Sequence, residues 1–272
     1  MNAAKKLLRA VCLCLALVIC VTGCGTGGMA DTTTTNSQTT EKMTTTGSTQ
    51  TTSAPEAPKP TKKIALTFDD GPHNVHTKSI VDELAKYGAH ATFFVVGNRV
   101  DGAAYRGGST VAYALQQGHE IGIHGYTHEV HYNNCTDEEY AYELGKTLEA
   151  IKGVSYDYET KLMRPIGGSI TKERIASCEY AVITWSVDSE DWKHKYKSGD
   201  TDEARKEKVD AIVENVMSSV KEGGIVLMHD IYESTYDALV IILERLYAEG
   251  YEVVTVSELI GEPLPGTRYS KK

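Results

Sequence analysis

The chain has 272 residues, 41% hydrophobic and 24% charged, with 37 acidic against 28 basic side chains and a formal net charge of −9. An acidic balance of this size argues against nucleic acid as a partner. The length allows one domain with an ample core plus terminal segments.

The first element in chain order is a leader. "KKLLRA" supplies a basic start, and "VCLCLALVICV" an apolar run too short for an ordinary spanning helix. The run closes in "VTGCG", which resembles the lipobox of bacterial lipoproteins. That resemblance implies removal of residues 1–23 and lipid attachment at Cys24, holding an extracytoplasmic protein on the membrane. The plainer alternative is a cleaved secretory signal in which Cys24 is incidental. Cleavage would remove Lys5, Lys6 and Arg9 and no acid, taking the net charge from −9 to −12. Residues 24–61 are rich in Thr and Ser, poor in large apolar residues, and end on Pro55, Pro58 and Pro60. Such a segment cannot bury a core and reads as a disordered tether. Of the cysteines, Cys135 and Cys178 alone fall in the globular part. They could pair in an oxidising exterior or stay reduced.

Residues 62–262 read as one α/β domain, followed by a polar C-terminal tail over 263–272. "KIALTF" predicts a strand, "TKSIVDELAKYG" a helix ending at Gly88, "ATFFVV" a second strand, "STVAYALQQG" a helix and "EIGIH" a third strand. Thr136 and Glu139 have capping-box spacing ahead of the helix "DEEYAYELGKTLEAIKG". "KLMR" and "YAVITWSV" predict two more strands. Val209, Ile212, Val213, Val216 and Val220 recur at helical spacing before the stop signal Gly223–Gly224. "IVLMH", the helix "YDALVIILERLYAEG" and the strand "YEVVTV" complete the pattern. About seven strands alternating with helices predict a parallel sheet covered by helices.

Polar clusters follow the predicted strands. "LTFDDGP" places Asp69 and Asp70 side by side where the first strand ends, either as a solvated acidic turn or as two differently aimed groups. "HGYTH" sets His124 and His128 four residues apart, a spacing that lets two imidazoles converge on one ion. "RPIGG" begins with Arg164, "DSEDW" holds Asp188, Asp191 and Trp192, and "LMHD" holds His229. In β/α barrels the carboxyl ends of the strands form the face that carries active sites.

In that order the motifs resemble the polysaccharide deacetylase family, also called the NodB-homology or carbohydrate esterase 4 family. The resemblance implies a distorted (β/α) barrel of about seven strands and removal of acetyl groups from polysaccharide with a divalent metal, most often Zn2+, with Co2+, Ni2+ or Mn2+ as alternatives. It implies Asp70, His124 and His128 as metal ligands, Asp69 as general base and His229 as general acid. Asp191, ahead of Asp188, becomes the carboxylate orienting His229, and Arg164 the partner of Asp69. Gly167 and Gly168 would offer a backbone donor to the oxyanion. Trp192 and Leu227 would wall the sugar and the acetyl methyl. His73, His76, His131 and His194 read as exposed loop histidines.

One motif departs from the family. Its usual form is Arg, any residue, Pro, Tyr or Gly, then Gly, whereas here Pro165 follows Arg164 directly and Ile166 takes the proline position. The expected substrate is N-acetylated amino-sugar polymer of the cell envelope, peptidoglycan first, with a monomer assumed. An O-deacetylase, a chitin-oligomer deacetylase and a non-catalytic sugar-binding lipoprotein are the alternatives.

Overall fold

The computed structural model describes residues 61–104 and 106–272. The leader, Cys24 and nearly all of the tether lie outside the described residues. "KIALTF" forms β1 (Lys62–Asp69), and from Ile64 onward every residue of it is buried. That fits a parallel strand covered on both faces. Next come α1 (His76–Ala85), β2 (Thr92–Val95), a single turn α2 (Gly97–Val100), α3 (Gly108–Gln116) and β3 (Glu120–Ile123). They are followed by α4 (Asp137–Val154), β4 (Leu162–Met163), α5 (Lys172–Ala176), β5 (Ala181–Ile183) and β6 (Val187–Asp188). The chain continues with α6 (Asp202–Met217), β7 (Ile225–His229), α7 (Glu233–Ala248), β8 (Tyr251–Val253), α8 (Val256–Ile260) and β9 (Arg268–Tyr269). Among the described residues no helix is long and apolar enough to cross a membrane.

The capping box at α4 forms as the spacing predicts: Glu139 N–H donates to Thr136 Oγ1 at 3.2 Å, and Thr136 N–H to Glu139 Oε2 at 2.8 Å. In α6, Val209, Ile212, Val213 and Val216 make the buried stripe. Val220 lies past the helix end and is half-buried.

The strands run parallel in the order β6-β7-β1-β2-β3-β4-β5-β9, with β8 beside the start of β1. The sheet curls into the expected distorted barrel, and two differences from the predicted strands explain its shape. "YAVITWSV" is not one strand. Its two halves, β5 and β6, belong to opposite ends of the sheet. Thr184 N–H donates to the Tyr269 carbonyl at 2.8 Å, whereas Ser186 N–H donates to the Ile225 carbonyl at 3.0 Å. The backbone therefore changes partners across Trp185. The second correction concerns 263–272, expected to be a tail. Val182 and Ile183 of β5 pair with Arg268 and Tyr269, so this segment supplies the last strand.

Alternation along β1 divides its side chains between two compartments. Ile64, Leu66 and Phe68 join the core beneath the helices. Ala65 packs in the lumen with Phe94, Leu162 and Ile183. Thr67 and Asp69 continue that inward row toward the carboxyl end. In register, Asp69 lies beside His229 on one neighbour and Phe94 on the other, and Ile123 pairs with Met163. His124 and Arg164 therefore leave their strands at the same rim. Cys135 and Cys178 are free thiols.

Candidate active site

Arg164 enters the lumen from the end of β4 and is completely buried. Its Nη1 donates to Asp69 Oδ1 at 2.8 Å and to Thr67 Oγ1 at 2.7 Å. Nε and Nη2 donate to the carbonyls of Ile183 and Thr184, and the guanidinium stacks 4.3 Å from the Phe94 ring centre. A charge this deep needs its donors matched. Here the carboxylate, the hydroxyl and two carbonyls take four of its five N–H groups, with at least one acceptor for each nitrogen.

Asp70 takes φ +71 just past the end of the strand, and both carboxylates approach His124, Asp69 Oδ2 lying 3.8 Å from its Nε2. Asp70 Oδ1 lies 2.8 Å from His128 Nε2 and 3.4 Å from His124 Nε2. His124 Nδ1 faces the Arg164 carbonyl at 2.8 Å. Since a carbonyl only accepts, Nδ1 carries a proton, which leaves Nε2 as the ring nitrogen that faces Asp70. One atom from each of Asp70, His124 and His128 falls within 4.8 Å of the others. Burial pushes the Asp70 carboxyl up, yet the bonds to His124 and His128 override it and hold the group well below the usual carboxylate range. Burial likewise opposes a charge on His124, but Asp69 and Asp70 raise its pKa. Two imidazole nitrogens and a carboxylate aimed at one point in a field that favours positive charge fit a divalent cation.

On the other side of Asp69, His229 ends β7. Its Nδ1 donates to Asp191 Oδ1 at 2.7 Å. Asp191 is fully buried in a 3-10 turn after β6, and its Oδ2 accepts from His229 N–H and from Thr235 Oγ1, each at 2.7 Å. Burial lowers the His229 pKa, but the Asp191 bond and charge, with Asp69 and Asp70 behind them, raise it to about 9. Asp188 borders the cavity, and its Oδ1 accepts from Glu190 N–H rather than from His229.

These groups open onto a cavity of about 390 Å3 whose apolar lining includes Ile166, Trp185, Trp192, Leu227 and Tyr232. Trp192 stands 48% exposed at the rim and Leu227 is buried. The glycine pair divides. Gly167, at φ +61, borders the cavity, and a Cβ there would meet nothing within 4 Å. Gly168, at φ +69, packs on Trp185 and donates its N–H to the Pro165 carbonyl at 2.8 Å, which leaves Gly167 as the member of the pair that borders the cavity.

The polysaccharide deacetylase family profile matches residues 56–184. The chain belongs to the polysaccharide deacetylase family. It is 35% identical to the peptidoglycan-N-acetylglucosamine deacetylase PgdA of Listeria monocytogenes over 80% of this chain and 44% of that one. It is 37% identical to the peptidoglycan-N-acetylmuramic acid deacetylase PdaC of Bacillus subtilis over 73% of this chain and 38% of that one. The chain therefore spans less than half the length of these relatives. A family 4 acetyl xylan esterase from Clostridium thermocellum, solved with a cobalt ion, superposes with a TM-score of 0.67 at 28% identity, covering 77% of this chain and 98% of that one.

Within this member of the polysaccharide deacetylase family, several cavity residues escaped sequence reasoning. Trp185 lies in what reads as strand interior, and nothing in the periodicity announces the break that turns it toward the cavity. Tyr232 follows a motif without belonging to one. His131 is exposed as expected but borders the cavity. His73 is half-buried and has a local role: its Nδ1 accepts from Val75 N–H and His76 N–H at the start of α1. Asp230, next to His229, is buried, bonded to Thr77 Oγ1, and pushed by burial to a pKa of about 7.

Proposed function

We propose that the protein is a metal-dependent hydrolase that removes N-acetyl groups from amino-sugar polysaccharide, most directly from peptidoglycan N-acetylglucosamine or N-acetylmuramic acid. The observation that carries this reading is the division of the adjacent carboxylates, Asp69 to Arg164 and Asp70 to the two imidazoles. Asp70, His124 and His128 hold the cation, with Zn2+ the expected ion. When bound, it supplies Lewis acidity that makes water a competent nucleophile at neutral pH and polarises the acetamide carbonyl.

Asp69 takes the proton of the attacking water as general base, aimed by Arg164. The Gly167 N–H is the backbone group offered to the developing oxyanion. His229 gives its proton to the sugar nitrogen as the carbon–nitrogen bond breaks, which lets the amine leave and frees acetate. Asp191 keeps that imidazole charged and oriented. Trp192 and Leu227 bound the sugar face and the acetyl methyl.

The names of the relatives and the extracytoplasmic reading of the leader support peptidoglycan as substrate, with Cys24 as the lipid anchor. The likeness to an acetyl xylan esterase over nearly all of its length supports a second reading, O-deacetylation. Acetate release from peptidoglycan, chitin oligomers and acetylated xylan separates the two. Peptidoglycan is expected to give the highest rate, chelator to abolish it, and Asp69→Asn to reduce it by at least 100-fold, within the roughly 10²–10⁴ range for general acid–base groups. Undiminished release by Asp69→Asn refutes the assigned base, and release from xylan alone selects the second reading.

A further inference from the structure

The buried stripe of α4 consists of Glu143, Thr147, Ala150 and Ile151. Three of these suit a core-facing position, but a carboxylate does not, and Glu143 is only 1% exposed. Among the described residues, no Lys or Arg lies within ion-pair distance of it. A buried carboxylate without a cation costs several kcal/mol unless hydrogen bonds satisfy it. Its donors all come from one place. Oε2 accepts Tyr126 N–H at 2.5 Å and Thr127 N–H at 2.9 Å, and Oε1 accepts Thr127 Oγ1 at 2.7 Å. Residues 126 and 127 lie between the two imidazoles of the metal site. The same loop is held close at Gly125, where a Cβ would stand 3.1 Å from Glu143 Oε2 and 2.9 Å from Tyr132 Oη. Immediately after it, His128 adopts φ +64, a left-handed conformation that costs about 1–2 kcal/mol for a side chain with a Cβ. A free loop would relax from that conformation and carry Nε2 away from Asp70.

We infer that Glu143 is the positioning residue of the metal site: its three hydrogen bonds tie the His124–His128 loop to α4 and hold His128 aimed at Asp70. This rests on the reading of Asp70, His124 and His128 as cation ligands. The role is geometric. Two backbone N–H groups and a hydroxyl need acceptors, and a glutamine can serve them, its carbonyl taking both N–H groups while its amide donates to Thr127 Oγ1.

The test is Zn2+ affinity of the full-length protein by chelator competition, together with the visible absorption of the Co2+ form and thermal melting of the metal-free form. Loss of Zn2+ binding in His124→Ala verifies the ligand set independently; wild-type protein that binds no Zn2+ overturns both readings. Glu143→Ala is expected to raise the Zn2+ Kd by about 10–100-fold, the range for outer partners of metal ligands, and to change the Co2+ spectrum. Glu143→Gln is expected to stay within about threefold of wild type. Ile151→Ala, on the same buried stripe but away from the loop, is expected to lower the melting temperature without moving Kd. Should Glu143→Ala not fold, Thr127→Val, which removes one of the three bonds, is expected to weaken Zn2+ binding by severalfold. Wild-type Kd in a folded Glu143→Ala, or in Thr127→Val where that variant serves, overturns the inference. A Gln variant as impaired as the Ala variant overturns the geometric role.

Discussion

Replacing Asp191 with Asn tests how the site keeps His229 protonated. The imidazole is buried, which by itself would depress its pKa, yet the bond to Asp191 and the surrounding carboxylates carry it from 6.5 to about 9. At about 1.4 kcal/mol per unit, that rise corresponds to roughly 3 kcal/mol favouring the charged ring. The folded-state pKa is raised, so the contribution to stability is fully present below pH 6.5 and is lost as pH rises through 9. Asn keeps the shape of Asp191 but removes its charge, and burial then acts unopposed by that partner. The alkaline limb of kcat/KM, set by loss of the His229 proton, is expected about one unit or more lower in Asp191→Asn than in the wild type. Urea denaturation of the metal-free proteins at pH 6, 8 and 10 provides the second readout. The stability advantage of wild type over the variant should be largest at pH 6 and shrink by pH 10. An alkaline limb at the same pH in both proteins would refute the assignment of Asp191 as the source of the raised pKa.

Removing the cation with a chelator is expected to lower the melting temperature, and added Zn2+ to restore it in a concentration-dependent way, since a ligand bound only to the folded state stabilises it by mass action. Arg164→Ala leaves Asp69 buried without its partner and should cost about 3–5 kcal/mol in urea unfolding. At the glycine pair, Gly168→Ala would bring a Cβ to 2.8 Å from the Trp185 ring in a left-handed backbone and should cost more than the roughly 1–2 kcal/mol of the conformation alone. Gly167→Ala, facing open space, should cost only about that amount, so the difference between the two in urea unfolding checks the packing of Trp185.

Much of this arrangement was legible because the site lies where strands end. A strand that stops at Asp69, Ile123 or His229 leaves its next polar residues on one rim, so "TFDDGP", "HGYTH" and "LMH" could be placed on that rim from the pattern alone. The seam of the sheet could not. Whether "YAVITWSV" is one strand or two depends on what lies on each side of Trp185, namely Tyr269 and Ile225, which are distant in sequence. The same holds for β9, whose two residues become a strand only because β5 has a free edge. Glu143 escaped for a different reason. In the sequence it is an acidic residue on an acidic helix, and only the approach of the 124–128 loop makes it a buried acceptor.

Arg164 also matters for the mechanics of the sheet. Its donors reach β1 through Thr67 and Asp69, and reach the far side through the carbonyls of Ile183 and Thr184, strands that are not neighbours in the sheet. The curl closes through a thin seam: past β9, Lys271 bridges to Gly224 ahead of β7, and Lys272 N–H donates to the Gly223 carbonyl at 2.8 Å. Inside that seam a single side chain, pinned to opposite walls, ties the width of the lumen to the aim of Asp69. A substitution at the seam that displaces the Ile183 or Thr184 carbonyl is then expected to shift the Asp69 carboxylate through Arg164.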